Sequence, residues 1–312
     1  MSVEDQIAQS PVATGHGGPD ARRSTVAGIS LASTAALSNQ CGAGLAALAF
    51  PAIGPAGVVA VRQVIAAVVL MAAARPAVRG MRWAQWWPVL ALAGTLSLMN
   101  LSLYAAIDRI GLGLSVSLEF LGPLCVALFS LRRLRDCLIA VGAGVGVYIL
   151  VLPGPTTDFL GVGLGLVAAA CWAAYILLNH TTGQRFPGLQ GTALATVIAA
   201  IVYSPVLAMT LASGELRGQT LIYAVAAGFL ASAVPYAADA MALRRLPTGM
   251  FAVLTSLNPV WAALIGMLIL GEFLAPHEWI GMLCITTANA ALVLARRHGT
   301  TPCPRPTLEE FS

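Results

Sequence analysis

Residues 111–131 read GLGLSVSLEFLGPLCVALFSL, and residues 247–267 read PTGMFAVLTSLNPVWAALIGM. Each run is long enough, as an α-helix, to cross the roughly 30 Å hydrocarbon core of a bilayer. The first carries a carboxylate, Glu119, near its middle and a proline, Pro123, four residues later. The second has Thr255 and Pro259 at the matching places. Set 136 residues apart, the runs align Leu118 with Leu254, Pro123 with Pro259, and Ala127-Leu128 with Ala263-Leu264. Proline has no N–H, so the carbonyl four residues back loses its helical donor. Two related helices with a kink at mid-depth, one holding an acid, predict a membrane protein built from two halves. Irregular backbone inside a bilayer is tolerated where it lines a cavity.

The same offset extends outward. Phe50-Pro51 meets Phe186-Pro187, Arg109 meets Arg245, and Asp136 meets Glu272. A spanning helix needs about 20 apolar residues. Ten runs qualify, at 26–50, 55–74, 84–106, 111–131, 135–153, 158–179, 189–212, 219–243, 247–270 and 274–295. Short links carry turn residues: Pro51 to Pro55, Pro153 to Pro155, and Phe186-Pro187-Gly188. Each half then has five spans. Five is odd, so the second half enters the membrane with the opposite orientation, the inverted repeat of many secondary transporters. The expected fold is all-α and integral to the membrane. It has a tail at 1–24, repeats at 25–154 and 155–296, and a tail at 297–312.

Composition agrees. Of 312 residues, 58% are hydrophobic and 10% charged, against about 25% charged in soluble domains. Mean hydropathy is +0.83. All 17 basic residues are arginine, which excludes Schiff-base lysines, Ser-Lys dyads and a P-loop lysine. With the N-terminus inside, fourteen arginines fall in inner loops and tails, Arg109 and Arg217 fall outside, and Arg62 lies within the second span. That bias predicts cytoplasmic termini and an even number of spans. The residues before 24 lack the apolar core of a secretory signal. Arginines scattered over loops do not predict nucleic-acid binding. The six cysteines form no CxxC pair, and neither a disulfide framework nor a metal site is expected.

Charges within a bilayer are costly and usually face a cavity or a partner. Glu119 is the sharpest candidate, as an ammonium-binding or proton-carrying group; the alternative is a structural carboxylate bonded to a neighbouring helix. Arg62 is a candidate partner for Glu119 or for a substrate carboxylate, with snorkelling to the outer interface as the alternative. Asp239 lies in the eighth span near Arg244. Asp108, Arg109, Asp136 and Glu272 read as loop residues without a role in the site. Gln40, Asn100, Asn258, Tyr104, Trp172 and Tyr236 are polar or amphipathic residues within spans, able to line a cavity or to join helices. Trp83, Trp86, Trp87 and Trp279 read as interfacial anchors. Gly142 and Gly146, like Gly161 and Gly165, are spaced for close helix contact. His277-Glu278 lacks the second histidine of a zinc protease motif, and no GxSxG occurs. No catalytic constellation is found, and no cofactor is expected.

The stretch from Met99-Asn100 through Tyr104 to Arg109, continuing to Leu118-Glu119-Phe-Leu-Gly122-Pro123, resembles the EamA-type drug/metabolite transporters. Within them it is most similar to the threonine/homoserine exporter branch. Gln40-Cys-Gly-Ala-Gly, Ala170-Cys-Trp172-Ala-Ala-Tyr175, Gly188-Leu-Gln-Gly191 and Pro235-Tyr236 support the resemblance, which spans roughly 26–295. It implies ten helices in two inverted halves, cytoplasmic termini, a central cavity, and efflux of amino acids across the inner membrane by alternating access. Glu119 matches the family's fourth-helix glutamate and Tyr236 its Pro-Tyr position. The chain departs from the pattern at Ala47 (often lysine), Asp239 and Asn258 (both usually glutamate) and Gly111 (usually proline). The implied partners are a small-molecule substrate, protons as a coupling ion, and the lipid bilayer, for a monomer or homodimer. The rival readings are a multidrug or nucleoside exporter of the same fold, a membrane enzyme, or a non-transporting scaffold.

Overall fold

The computed structural model describes residues 19–76, 82–129, 134–152, 157–186, 189–243 and 245–297. The tails, Pro153–Pro155 and Pro187-Gly188 therefore lie largely or wholly outside the described residues. So do the side chains of Asp136, Tyr236, Asp239 and Arg244, and most of the loop arginines.

The first helix, Pro19–Ala74, has 56 residues. A straight helix of that length would measure about 84 Å, far more than a bilayer. It is broken at Gly54, where φ is 66° and ψ is 167°. That conformation is open to glycine and strained for other residues. The break divides a first span, 19–53, from a second, 55–74. The turn predicted from Pro51 to Pro55 thus narrows to one residue, and both prolines remain helical. Helix also begins at Pro19, ahead of the expected tail boundary.

The third span is Trp83–Ile110. The fourth is split into Leu112–Glu119 and Leu121–Phe129. Leu134–Val151 and Phe159–Gly183 form the fifth and sixth. The seventh is the pair Gln190–Val202 and Ser204–Ser213, bent by 48°. The eighth joins Gly218–Gly228 to Val234–Leu243 through a π-helical turn, Phe229–Ala233. The ninth consists of Thr248–Thr255, Asn258–Ile265 and a second π turn, Gly266–Leu270. Pro276–Arg297 is the tenth. Among the described residues these ten segments coincide with the ten apolar runs. Among the described residues four stretches are long and apolar enough to cross a membrane by length and composition: Ser24–Ala74, Trp83–Ile110, Phe159–Gly183 and Met250–Leu270. The seventh crossing is a bent pair, Gln190–Val202 with Ser204–Ser213.

Packing exchanges the two halves. The third span packs on the sixth, and the eighth on the first helix; the fourth meets the ninth, and the fifth meets the tenth. Advancing every span by five leaves this set unchanged. Glycines bring the helices together. A Cβ at Gly122 would collide with the carbonyl of Ala169 on the sixth span. One at Gly146 would stand 2.8 Å from Cys284 Cβ on the tenth. Gly161 and Gly165 also sit in contacts, but Gly142 faces open space, so only part of the predicted glycine spacing is used.

The outer surface is apolar. Phe273 is 82% exposed, Leu268 79% and Met209 73%. Such a surface is unfavourable in water and fits lipid. The largest apolar core surrounds Tyr104, Leu118, Phe50 and Ile285. The polar residues discussed next are held just inside it.

Candidate functional site

The site begins with the break in the fourth span. Phe120, with φ −65° and ψ −8°, interrupts the helix just before the turn that contains Pro123. The ninth span breaks likewise at Ser256 and Leu257, before Pro259. In both spans the helical assignment is thus interrupted shortly before the proline. The carbonyl of Phe120 is taken up by Asn289 Nδ2 of the tenth span at 3.3 Å. The polar side chains near Glu119 do not crowd it: Ser115 and Ser117 donate to the carbonyls of Gly111 and Gly113, each at 2.7 Å.

The start of that half-helix is fixed from the other half of the chain. Leu112 N donates to Glu272 Oε2 at 2.8 Å. Glu272 lies in the turn after the ninth span and also crowds Gly111 and Gly266. Burial pushes its carboxyl above the ordinary value of 4.5, and the Leu112 N–H pulls in the opposite direction. Glu272 does lie in a loop, as its sequence position suggests, and there it accepts a hydrogen bond from the start of the fourth span, a contact 160 residues apart in sequence. Arg109, in the last turn of the third span, pairs with Asp158 at 2.9 Å. Asp158 in turn caps the sixth span through Gly161 N at 2.9 Å.

A cavity of about 230 Å3 opens between the spans. Of the residues singled out from sequence, Glu119, Arg62, Gln40, Asn100, Tyr104, Trp172 and Asn258 all border it. Glu119 is buried. Arg62 turns inward rather than snorkelling: its Nη1 donates to Tyr104 Oη at 3.0 Å and its Nη2 to the Ala231 carbonyl at 3.4 Å. Its Cζ lies 5.3 Å from the Tyr104 ring centre, within cation–π range. Tyr104 is fully buried and stacks at a tilt on Phe50, 5.6 Å away. Among the described residues the ion pair present is Arg109–Asp158, so Arg62 and Glu119 share the cavity without closing on each other. A carboxyl group and a guanidinium therefore face one space.

The remaining candidates form its wall. Gln40 is buried. Asn100 Nδ2 spends one donor on the Leu96 carbonyl at 2.8 Å. Trp172 meets Phe120 edge to face, with ring centres 4.7 Å apart. Phe120, Trp172 and Asn258 also border a second cavity of about 460 Å3 that contains Thr255 and Asn289. Asn258 and Asn39 reach a third, of about 200 Å3. Tyr236 and Asp239 ride on the eighth span, but their side chains lie outside the described residues.

Sequence reading passed over Gln63, Ser232 and Thr196, which also line the central cavity. Gln63 follows Arg62 directly, and Ala66 completes the same helical face; a polar pair inside an apolar span was the available signal. Ser232 sits in the π turn of the eighth span. Nothing local in the sequence announces that turn.

The EamA-like transporter family matches residues 159–294. The threonine/homoserine exporter RhtA of Escherichia coli (strain K12) is 36% identical over 263 residues, covering 83% of this chain and 89% of that protein. Its counterpart in Salmonella typhimurium (strain LT2) is 37% identical over 264 residues, covering 84% and 89%. A solved crystal structure superposes with a TM-score of 0.54 at 18% identity, covering 87% of this chain and 98% of that one, which shows the fold. The matched region contains the kinked ninth span with Asn258 and Pro259, and the long relatives cover the fourth span's half of the chain as well. Ten apolar crossings around a polar central cavity, with these likenesses, place the chain in the EamA-like transporter family as a multi-pass membrane transporter of small molecules.

Proposed function

We propose that this protein exports small amino acids of the threonine and homoserine kind across the inner membrane by alternating access, with both termini cytoplasmic. The observation that carries the reading is that the Glu119 carboxyl and the Arg62 guanidinium border one cavity without pairing. A zwitterionic amino acid offers the complement: its ammonium to Glu119, its carboxylate to Arg62. Charge-assisted bonds of this kind are the strong ones. The size of the space supports the reading too. About 230 Å3 is room enough for a small amino acid, below the roughly 300–1,000 Å3 of drug-sized sites. The names of the long relatives point to the same substrates. The repeat units of the transporter are 25–154 and 155–296, and Glu119 either holds the substrate ammonium or takes up the coupling proton when substrate leaves.

The test is efflux from cells preloaded with labelled threonine, homoserine, an aromatic amino acid and a nucleoside, with wild-type protein and Glu119→Gln at matched membrane levels. Faster loss of threonine or homoserine with wild type, abolished in the variant, is the expected result. Wild-type rates in Glu119→Gln would remove Glu119 from the mechanism. Loss of the nucleoside alone would replace the amino-acid reading.

A further inference from the structure

Two amides in the cavity wall are incompletely bonded. Gln63, 4% exposed, leaves its Nε2 without a partner. Asn258 leaves its Oδ1 without one. Both residues border the central cavity that holds Glu119 and Arg62. They come from different halves of the chain, Gln63 from the second span and Asn258 from the break in the ninth. Both orphan atoms are sealed from water in this arrangement, so solvent does not satisfy them. Buried polar groups left unpaired are rare and costly, and such a group calls for an explanation by a bound molecule or a second conformation. The other orphaned atoms among the described residues, on Ser97 and Thr286, do not border this cavity.

We infer that Gln63 and Asn258 are the specificity-determining pair for the substrate's side chain, and that they select a hydroxyl. The inference rests on the amino-acid reading above and extends it to the part of the ligand that Glu119 and Arg62 do not touch. One orphan is a donor and the other an acceptor. A hydroxyl is the small group that answers both, because it accepts from an N–H and donates to a carbonyl oxygen. On this inference each amide turns toward the cavity when substrate is bound. A methyl in place of the hydroxyl leaves both amides unpaired, and sites built for a hydroxyl reject analogues that lack one far more strongly than apolar pockets reject an extra methylene.

The experiment uses the full chain in liposomes. Labelled threonine is exchanged against unlabelled threonine, homoserine, valine or 2-aminobutyrate. Valine has the shape of threonine with a methyl for the hydroxyl. The wild type is expected to prefer threonine over valine about tenfold or more, the effect of leaving a buried polar group unpaired. Gln63→Met and Asn258→Leu are each expected to bring that ratio down about tenfold. A purely structural role for either amide changes protein yield or overall rate and leaves the ratio where it was. A wild-type preference below twofold overturns the inference, and so does a ratio unmoved in a folded variant. If one variant does not fold, the other decides; if neither folds, the wild-type ratios decide. Exchange of neither threonine nor valine by wild type ends the amino-acid reading itself, a different result from exchange of both without preference.

Discussion

Arg62 shows how one side chain in a membrane interior is kept charged and available. Its partners are a phenol and a backbone carbonyl, both neutral. They orient the guanidinium and leave its charge uncompensated. At an effective dielectric of about 20, an anion at 4 Å gains roughly 4 kcal/mol from such a charge. Tyr104→Phe removes one of the two bonds and keeps the ring beneath the cation. Hydrogen bonds to charged groups are worth about 1.5–3 kcal/mol. We expect the variant to raise the apparent KM for export up to about a hundredfold with little change in kcat, read from the concentration dependence of exchange. An unchanged KM would show that Tyr104 does not position Arg62. At this scale the sequence exposed the charged residues well, because an arginine or glutamate inside an apolar run stands out. Partners were harder to see. Tyr104 is 42 residues from Arg62, and Gln63 looked like one more polar residue until the cavity placed it.

Spans were legible for a plain reason: about 20 apolar residues make a crossing whatever they pack against. What happens inside a span depends on neighbours. The kinks near Pro123 and Pro259 could be read, since proline removes a backbone donor. The π turns at Phe229–Ala233 and Gly266–Leu270 carry no such mark. Glycine spacing was half legible, because the motif does not say which glycine faces the next helix. That difference gives an element-scale prediction. Gly122→Ala drives a methyl into the Ala169 carbonyl, and overpacking of this kind costs about 1–3 kcal/mol. Gly142→Ala meets nothing within 4 Å and gains about 0.8–1.0 kcal/mol of helix propensity at most. Thermal unfolding in detergent should show a lowered midpoint for the first and an equal or higher one for the second. Equal midpoints would contradict the close approach of the fourth and sixth spans.

Across the whole molecule, the two halves touch through matched pairs of spans, and Glu272 ties the end of the ninth span to the start of the fourth. Its carboxyl lies above the ordinary 4.5 because of burial. The folded state therefore holds the proton more tightly than the unfolded chain does. The resulting stabilisation is complete below about 4.5 and is lost as pH rises through the folded value. Between mild acid and neutrality, the wild-type midpoint should fall relative to that of Glu272→Gln, whose amide still accepts from Leu112 N. Parallel curves would show that the carboxyl is not buried between the halves. Sequence placed Asp136 and Glu272 as repeat counterparts but gave no hint of the cap, because the contact exists only once the halves are assembled.

The small size of the central cavity has a consequence for throughput. A space of about 230 Å3 is sized for one small solute at a time. In the alternating-access cycle proposed above, each molecule delivered requires one full reorientation of the halves, a collective motion on the microsecond-to-millisecond scale. Flux through one copy saturates at that pace however steep the gradient becomes. Beyond that point, a cell relieves its internal pool by increasing the number of copies in its membrane.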